Sequence, residues 1–455
     1  MSERKRDFFR WAHCTVSVLV FSLALGSGML LAQTDPGVRG GAPGAGGQIT
    51  GLTLKEGKFF GAGLDAFTEV QSVQGTIAGT EEGLGPRFNL DSCGGCHSQP
   101  ATGGTSPFTN PQIAVATKNG ATNTLPFFIS LNGPVREARF KFANPPTNTI
   151  RDGGVHDLFT ITGRTDAPGC NISQPDFDSA NQIQPNGQNN LIFRIPTPTF
   201  GAGLIEAITD STIIANRDAN AVAKAALLIS GHENREGNAG TITRFGWKAQ
   251  NKSLVIFSGE AYNVEQGVTN DLFPQERDET PGCLFNPTPE NHVNFEQSNP
   301  LKVLADTSNF ANFMRFLAPP APAASSPSIE SGRTLFSTTG CALCHTPSLT
   351  TGVSSTAALS GKQANLFSDL LVHHMGTGLA DDIVQGAAGP DEFRTAPLWG
   401  LGQRIFFLHD GRFRDLLQAI SAHSSSGSEA NAVISNFDAL LPQQKQDILN
   451  FLRSL

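Results

Sequence analysis

Two five-residue runs carry the chemistry of this chain. Cys93-Gly94-Gly95-Cys96-His97 and Cys341-Ala342-Leu343-Cys344-His345 repeat the pattern Cys-x-x-Cys-His at positions 248 residues apart. Two thiols on a single turn can each add to a vinyl group of one haem, and the histidine directly after them then sits beneath the iron as its proximal ligand. A redox dithiol or half of a tetrathiolate zinc site also uses Cys-x-x-Cys. Neither needs the histidine that follows, and zinc ribbons bring their cysteine pairs much closer together. The expected cofactors are therefore two covalently bound c-type haems on Cys93, Cys96, Cys341 and Cys344, with His97 and His345 as iron ligands.

The first residues indicate the compartment. Arg4, Lys5, Arg6 and Arg10 precede an apolar run from Val16 to Ala32 that ends in small and apolar residues before Gln33, the order of a secretory signal. The chain is thus expected to be exported to the periplasm. It would contact a membrane only if the signal stayed uncleaved, since the run is nearly long enough to span a bilayer. Cys14 lies at the edge of the run and not at a cleavage site, which argues against a lipid anchor. Apart from Cys14 and the four motif cysteines, Cys170 and Cys283 remain, each preceded by Pro-Gly. An oxidising compartment permits a disulfide between them, with two buried thiols as the alternative.

From Gln33 onward the chain holds 28 Lys and Arg against 38 Asp and Glu, a formal charge of −10, which argues against nucleic acid as a partner. Hydrophobic residues at 39% suffice for sizeable cores, but 48 glycines, 28 prolines and only 16% charged residues point to much irregular chain wrapped around cofactors.

The elements that must position the two motifs are read from composition breaks and periodicity. The expected class is mainly α: two cytochrome c-like haem domains with long irregular loops and a few short strands. The expected division is a signal peptide over 1–32, a flexible Gly/Ala/Pro linker over 33–55, an N-terminal haem domain with a large insertion over 56–317, a Pro/Ala connector over 318–327 and a C-terminal cytochrome c-like domain over 328–455. Ile329, Gly332, Leu335 and Phe336 share one helical face just before Cys341, and Pro442 starts a closing helix with Ile448, Phe451, Leu452 and Leu455 at i, i+3, i+4, i+7. In the N-terminal unit, residues 126–142 suggest a hairpin about Asn132-Gly133 that Pro134 weakens, and Asp210 reads as the N-cap of a helix running to Leu227.

Three further stretches resemble the bacterial di-haem oxidoreductase family, sometimes labelled thiol oxidoreductases. They are Gly83-Leu84-Gly85-Pro86-Arg87-Phe88-Asn89-Leu90-Asp91-Ser92, then Arg244-Phe245-Gly246-Trp247-Lys248-Ala249, and Phe367-Ser368-Asp369-Leu370-Leu371-Val372-His373-His374-Met375-Gly376. A narrower stretch, Phe393-Arg394-Thr395-Ala396-Pro397-Leu398 with Phe407-Leu408-His409-Asp410-Gly411-Arg412, is similar to the C-terminal haem segment of di-haem cytochrome c peroxidases and of the related enzyme that matures methylamine dehydrogenase. In those peroxidases the residue fourteen after the His-Asp-Gly histidine is the distal ligand of the C-terminal haem, which implies His423 here. The residues agree: Phe413, Leu416, Leu417, Ile420 and His423 form one apolar helical stripe. Met375, in a glycine-flanked loop, is the rival ligand, whereas Met314 lies on the stripe Phe310, Phe313, Met314, Leu317 and reads as core.

For the N-terminal haem no methionine occurs between Gln33 and Met314 and no histidine between His97 and His156, so no nearby residue supplies a sixth ligand. That iron is expected to be accessible unless His156, His232, His292 or Tyr262, the only tyrosine, folds back on it. Tyr262 lies between Glu260 and Glu265 on an expected helix. Tyr262, Glu260 and His409 are the candidate catalytic residues; Trp247 and Trp399 read first as core and second as bridges between haems. The expected function is an exported, peroxidase-like oxidoreductase that passes electrons between a redox protein and a small substrate such as peroxide. The alternative is a di-haem electron carrier without chemistry of its own.

Overall fold

The computed structural model describes residues 33–145, 147–178 and 189–455; the signal segment lies outside them. The fold is mainly α, with few and short strands. Its largest apolar cluster forms where the helices Leu54–Thr68, Leu254–Gln266 and Asp306–Phe316 pack, burying Phe60, Phe67, Tyr262, Phe310 and Phe313. Close approach of the first and last of these depends on Gly63, where an added Cβ would lie 2.3 Å from the Asn309 carbonyl oxygen. Leu366, Leu370 and Trp399, from beyond the second motif, enter the same cluster.

The helices at the C-terminal end follow their periodicity. Ser326 caps Pro327–Thr338, which buries Gly332 and Phe336, and Pro442 opens Pro442–Ser454, which buries Ile448, Phe451 and Leu452. These two helices touch at Gly332, where a Cβ would stand 1.9 Å from the Asp447 carbonyl oxygen. The preceding connector does not hang free: Ala318 and Ala321 donate backbone N–H groups to Gly47 and Gly44 at 2.9 Å each. Asp35 is fastened to Arg453 at 2.6 Å. The segment 33–51 therefore runs along 316–321 for much of its length.

Two local expectations fail for identifiable reasons. No hairpin forms about Asn132-Gly133, because Pro134 has no N–H to place in a ladder and Gly133 closes a turn on Ser130 instead. The strand that follows, Glu137–Phe140, pairs antiparallel with Val155–His156 on one side and Leu191–Arg194 on the other. The N-cap of the helix Asp210–Asp218 is Thr209, whose hydroxyl accepts from the Thr212 N–H at 3.2 Å. Asp210 is its first helical residue and pairs with Arg244. That helix ends before Asn220, whose φ of 56° breaks it from Ala221–Ala226.

Cys170 and Cys283 form a disulfide inside a second apolar cluster with Leu84, Phe88, Leu158 and Phe159. Among the described residues no helix is long and apolar enough to cross a membrane.

Candidate functional site: two thiol-lined cavities

Each motif folds as one tight turn against a cavity. Cys93–Cys96 is a single helical turn closed by His97 N–H on the Cys93 carbonyl at 3.0 Å; Cys341–Leu343 is its 3-10 counterpart, closed by His345 on Cys341 at 2.9 Å. All four motif cysteines are free thiols and face the cavities. Burial pushes the Cys93 thiol up to about 12 and Cys341 up to about 11, so both stand as neutral thiols.

The two histidines are held alike. His97 places Nδ1 on the Gly104 carbonyl at 2.9 Å and His345 on that of Phe367 at 3.0 Å. A ring that donates Nδ1–H to a carbonyl keeps Nε2 unprotonated and available to a metal. Burial favours that neutral form by lowering both imidazoles, His345 to about 4.

The C-terminal cavity, about 1410 Å³ of empty space including its mouth, is lined mainly by apolar side chains such as Phe336, Phe407, Leu416 and Val433. Both His423 and Met375 reach it. His423 anchors Nδ1 on the Ala419 carbonyl at 2.8 Å, the arrangement of the two motif histidines, and lies close enough to His345 to lower its protonation. Met375 packs with Ile195, Trp247 and Phe393. His409 also lines this cavity; burial brings it down to about 4, and it stacks on Phe393 with centroids 4.3 Å apart. The neighbouring His373 is clamped between Asp369 at 2.9 Å and Glu429 at 2.8 Å, both ring nitrogens engaged.

The N-terminal cavity, about 1130 Å³ including its mouth, has a polar wall. The strand Glu137–Phe140 alternates, so Glu137 and Arg139 point to one face and reach the cavity, while Arg194 stands opposite Glu137 in the ladder and joins them. The helix Leu254–Gln266 adds Glu260, Tyr262 and Glu265. Glu137 and Glu265 bring their carboxyl groups close enough to influence each other's protonation. Burial would raise both, but the Arg139 charge at 2.8 Å keeps Glu137 low, whereas burial and the Glu137 charge hold Glu265 well above the carboxylate range. These opposed directions favour the neutral form at Glu265 and the ionised form at Glu137. Tyr262 is buried edge-on to Phe310, and burial pushes its phenol well above its ordinary value. Glu260 accepts from Asn251.

The fold therefore gathers Tyr262 and Glu260 at one cavity and His409, His423 and Met375 at the other. It keeps His156, His232 and His292 away from both: His156 bonds Asp152, His232 bonds Glu392, and His292 is exposed. Met314, read as core, is buried and also lines the N-terminal cavity. Trp247 lines both cavities, with its indole N–H on the Ile195 carbonyl at 2.9 Å; Trp399 lines neither and packs in the large apolar cluster. Sequence reasoning missed Glu137, Arg139 and Arg194. The only signal was the alternation of charges in Arg136-Glu137-Ala138-Arg139.

The residues present fit haem. Buried cations without anions are costly. In the C-terminal cavity Arg394 and Arg404 are buried side by side, and among the described residues neither has a carboxylate partner; burial lowers each to about 10. In the N-terminal cavity Arg194 leaves its Nε buried and unbonded. Haem propionates would satisfy such groups.

Two cavities, each with paired thiols and an imidazole Nε2, the C-terminal one also with two buried arginines that have no carboxylate partner among the described residues, define a protein built for two haems. The chain belongs to the di-haem oxidoreductase family: its residues 144–455 match the family described as "Di-haem oxidoreductase, putative peroxidase". No curated protein matches the chain. Among solved structures, it is similar to the diheme peroxidase BthA of Burkholderia thailandensis (14% identity, 57% of this chain and 86% of that one, TM-score 0.29). A MauG-like protein associated with microbial copper homeostasis (15% identity, 57% and 89%, TM-score 0.27) is also similar. So is the Kuenenia stuttgartiensis hydrazine synthase (17% identity, 34% and 56%, TM-score 0.23), of which the chain spans little more than half.

Proposed function

We propose that this chain is an exported di-haem c-type cytochrome that acts as a peroxidase-like oxidoreductase, with its substrate at the N-terminal cavity and electrons entering from a redox protein at the C-terminal one. Haem iron, when bound, supplies one-electron redox chemistry and a coordination position for an oxygen of the substrate. His97 and His345 would hold the irons, one in each cavity, and His423 would supply a further ligand nitrogen at the C-terminal haem. Export is supported by the signal-like first residues and by the Cys170–Cys283 disulfide, a bond of oxidising compartments.

The observation that carries the catalytic reading is the Glu137–Glu265 pair in the wall of the cavity that holds His97. Reducing peroxide to two waters takes two electrons and two protons. A carboxyl group whose neutral form burial favours is a general acid for the leaving oxygen; bulk solvent then returns the proton to Glu265 and supplies the second proton of the turnover. Arg139 and Arg194 favour the ionised form of Glu137. Trp247, in contact with both cavities, offers the electron route.

A carrier without its own chemistry is the competing reading, favoured by Met314 and Tyr262 lining the N-terminal cavity, where either could close the sixth position. The test is the ferric spectrum together with peroxide turnover. One high-spin and one low-spin haem with peroxide-dependent oxidation of a reduced donor is expected; two low-spin haems and no response to peroxide would select the carrier. Mass spectrometry should find two covalent haems, one of them disturbed by Cys93→Ala and the other by Cys341→Ala.

A further inference from the structure

Between the two cavities lies a buried ion cluster that joins their walls. Asp381, with 1% of its side chain exposed, takes Arg194 on one carboxylate oxygen at 2.6 Å and Lys248 on the other at 3.0 Å. Arg194 belongs to the wall of the N-terminal cavity. Lys248 follows Trp247 in sequence, and its ammonium also donates to the Gly389 and Glu392 carbonyls at 2.8 Å each. The same ammonium stands 4.1 Å from the centre of the Phe393 ring, which stacks on His409, and both rings line the C-terminal cavity. Every donor of the Lys248 ammonium is thus committed, and its side chain is fully buried.

We propose that Asp381 is a positioning residue that clamps the two cavity walls together through Arg194 and Lys248, holding Trp247 where it meets both cavities and fixing buried charges that set the potentials of both haems. A charge in a low-dielectric interior acts over long range, and its sign decides whether the reduced or oxidised iron is favoured. Loss of the carboxylate adds one positive unit and favours reduction; loss of the ammonium removes one and favours oxidation. A cluster that only held the fold together would not give shifts of opposite sign.

The inference rests on two haems filling the cavities and not on peroxide being the substrate. The experiment is spectroelectrochemical titration of the haem-loaded full chain. In Asp381→Asn both midpoint potentials should rise, in Lys248→Gln both should fall, and Asp381→Glu should return them to the wild-type values, with two haems per chain and unchanged ligation spectra throughout. Shifts of the same sign in the first two variants, or no shift, would overturn the proposal. If Asp381→Asn does not fold, Lys248→Gln decides alone: a fall supports the proposal and an unchanged or raised potential overturns it. Failure of the wild type to turn over peroxide would sink the catalytic reading and leave these potentials as the measure of the clamp.

Discussion

His345 and His423 line one cavity, each with Nδ1 fixed on a backbone carbonyl, at 3.0 Å and 2.8 Å, so that both present Nε2 to the same interior. Burial first, and then the nearby His423 ring, bring His345 down to about 4, and burial lowers His423 too, so both favour the neutral imidazole. Met375 reaches the same cavity, but from an apolar cluster with Trp247 and Phe393.

Ligation at the C-terminal haem follows. His423→Gly should convert that haem from low to high spin, read by electronic absorption and electron paramagnetic resonance, and Met375→Leu should leave it low-spin. The reverse pattern would move the ligand role to Met375 and make this the high-potential centre.

The carboxyl pair predicts a graded loss of activity. Glu265→Gln keeps the shape and the hydrogen bond to Asn89 but removes the proton donor, so peroxide turnover should fall by about 10²–10⁴-fold with haem content unchanged. Glu137→Gln should cost less, because Glu265, the proton donor itself, still faces the cavity, although losing the Glu137 charge lets it ionise more readily. A Glu265→Gln protein with the wild-type rate would reduce the pair to a structural role.

The clamp on His373 predicts a stability defect. Glu429 accepts from Ser230, Gly231 and His374 backbone N–H groups as well as from His373. Burial would raise its carboxyl, but the His373 hydrogen bond and charge bring it down to about 2. Glu429→Ala leaves a buried imidazolium half-paired and should cost about 3–5 kcal/mol in urea unfolding. In the wild type this contribution is present in full above the ordinary Glu value of 4.5 and fades as pH falls toward about 2.

A second acidic group has the opposite sign. Burial, followed by crowding from Asp306, raises Glu69 and Glu290 each to about 7. The unfolded chain releases these protons near 4.5 while the folded chain keeps them to about 7, so the folded state binds more protons in that window and stability falls as pH rises through it. Thermal unfolding between pH 5 and pH 7.5 should show this decline, and Glu69→Gln should flatten it. A melting temperature that does not change with pH over that range would contradict the assignment.

Much of the scaffold was readable because its causes are local. The spacing of Ile448, Phe451, Leu452 and Leu455 behind Pro442 needs only the 3.6-residue period to become a buried helix face, and Gly332 with Phe336 repeats that logic on the facing helix. The hairpin about Asn132-Gly133 and the Asp210 cap went wrong where a neighbour one or two residues away decided the matter: Pro134 in one case, the Thr209 hydroxyl in the other.

The sequence by itself determined the two Cys-x-x-Cys-His turns, because thiols three apart and an adjacent imidazole are a matter of one helical turn. It also placed His423 and Met375 as rivals without separating them, since neither periodicity nor spacing says which side chain meets the iron. Only the tertiary structure brought Glu137 against Glu265, Arg194 and Lys248 onto Asp381, and Trp247 to the wall of both cavities. Those partners lie on different strands, helices and loops, and a buried charge or shifted carboxyl exists only once the chain has removed water from around it.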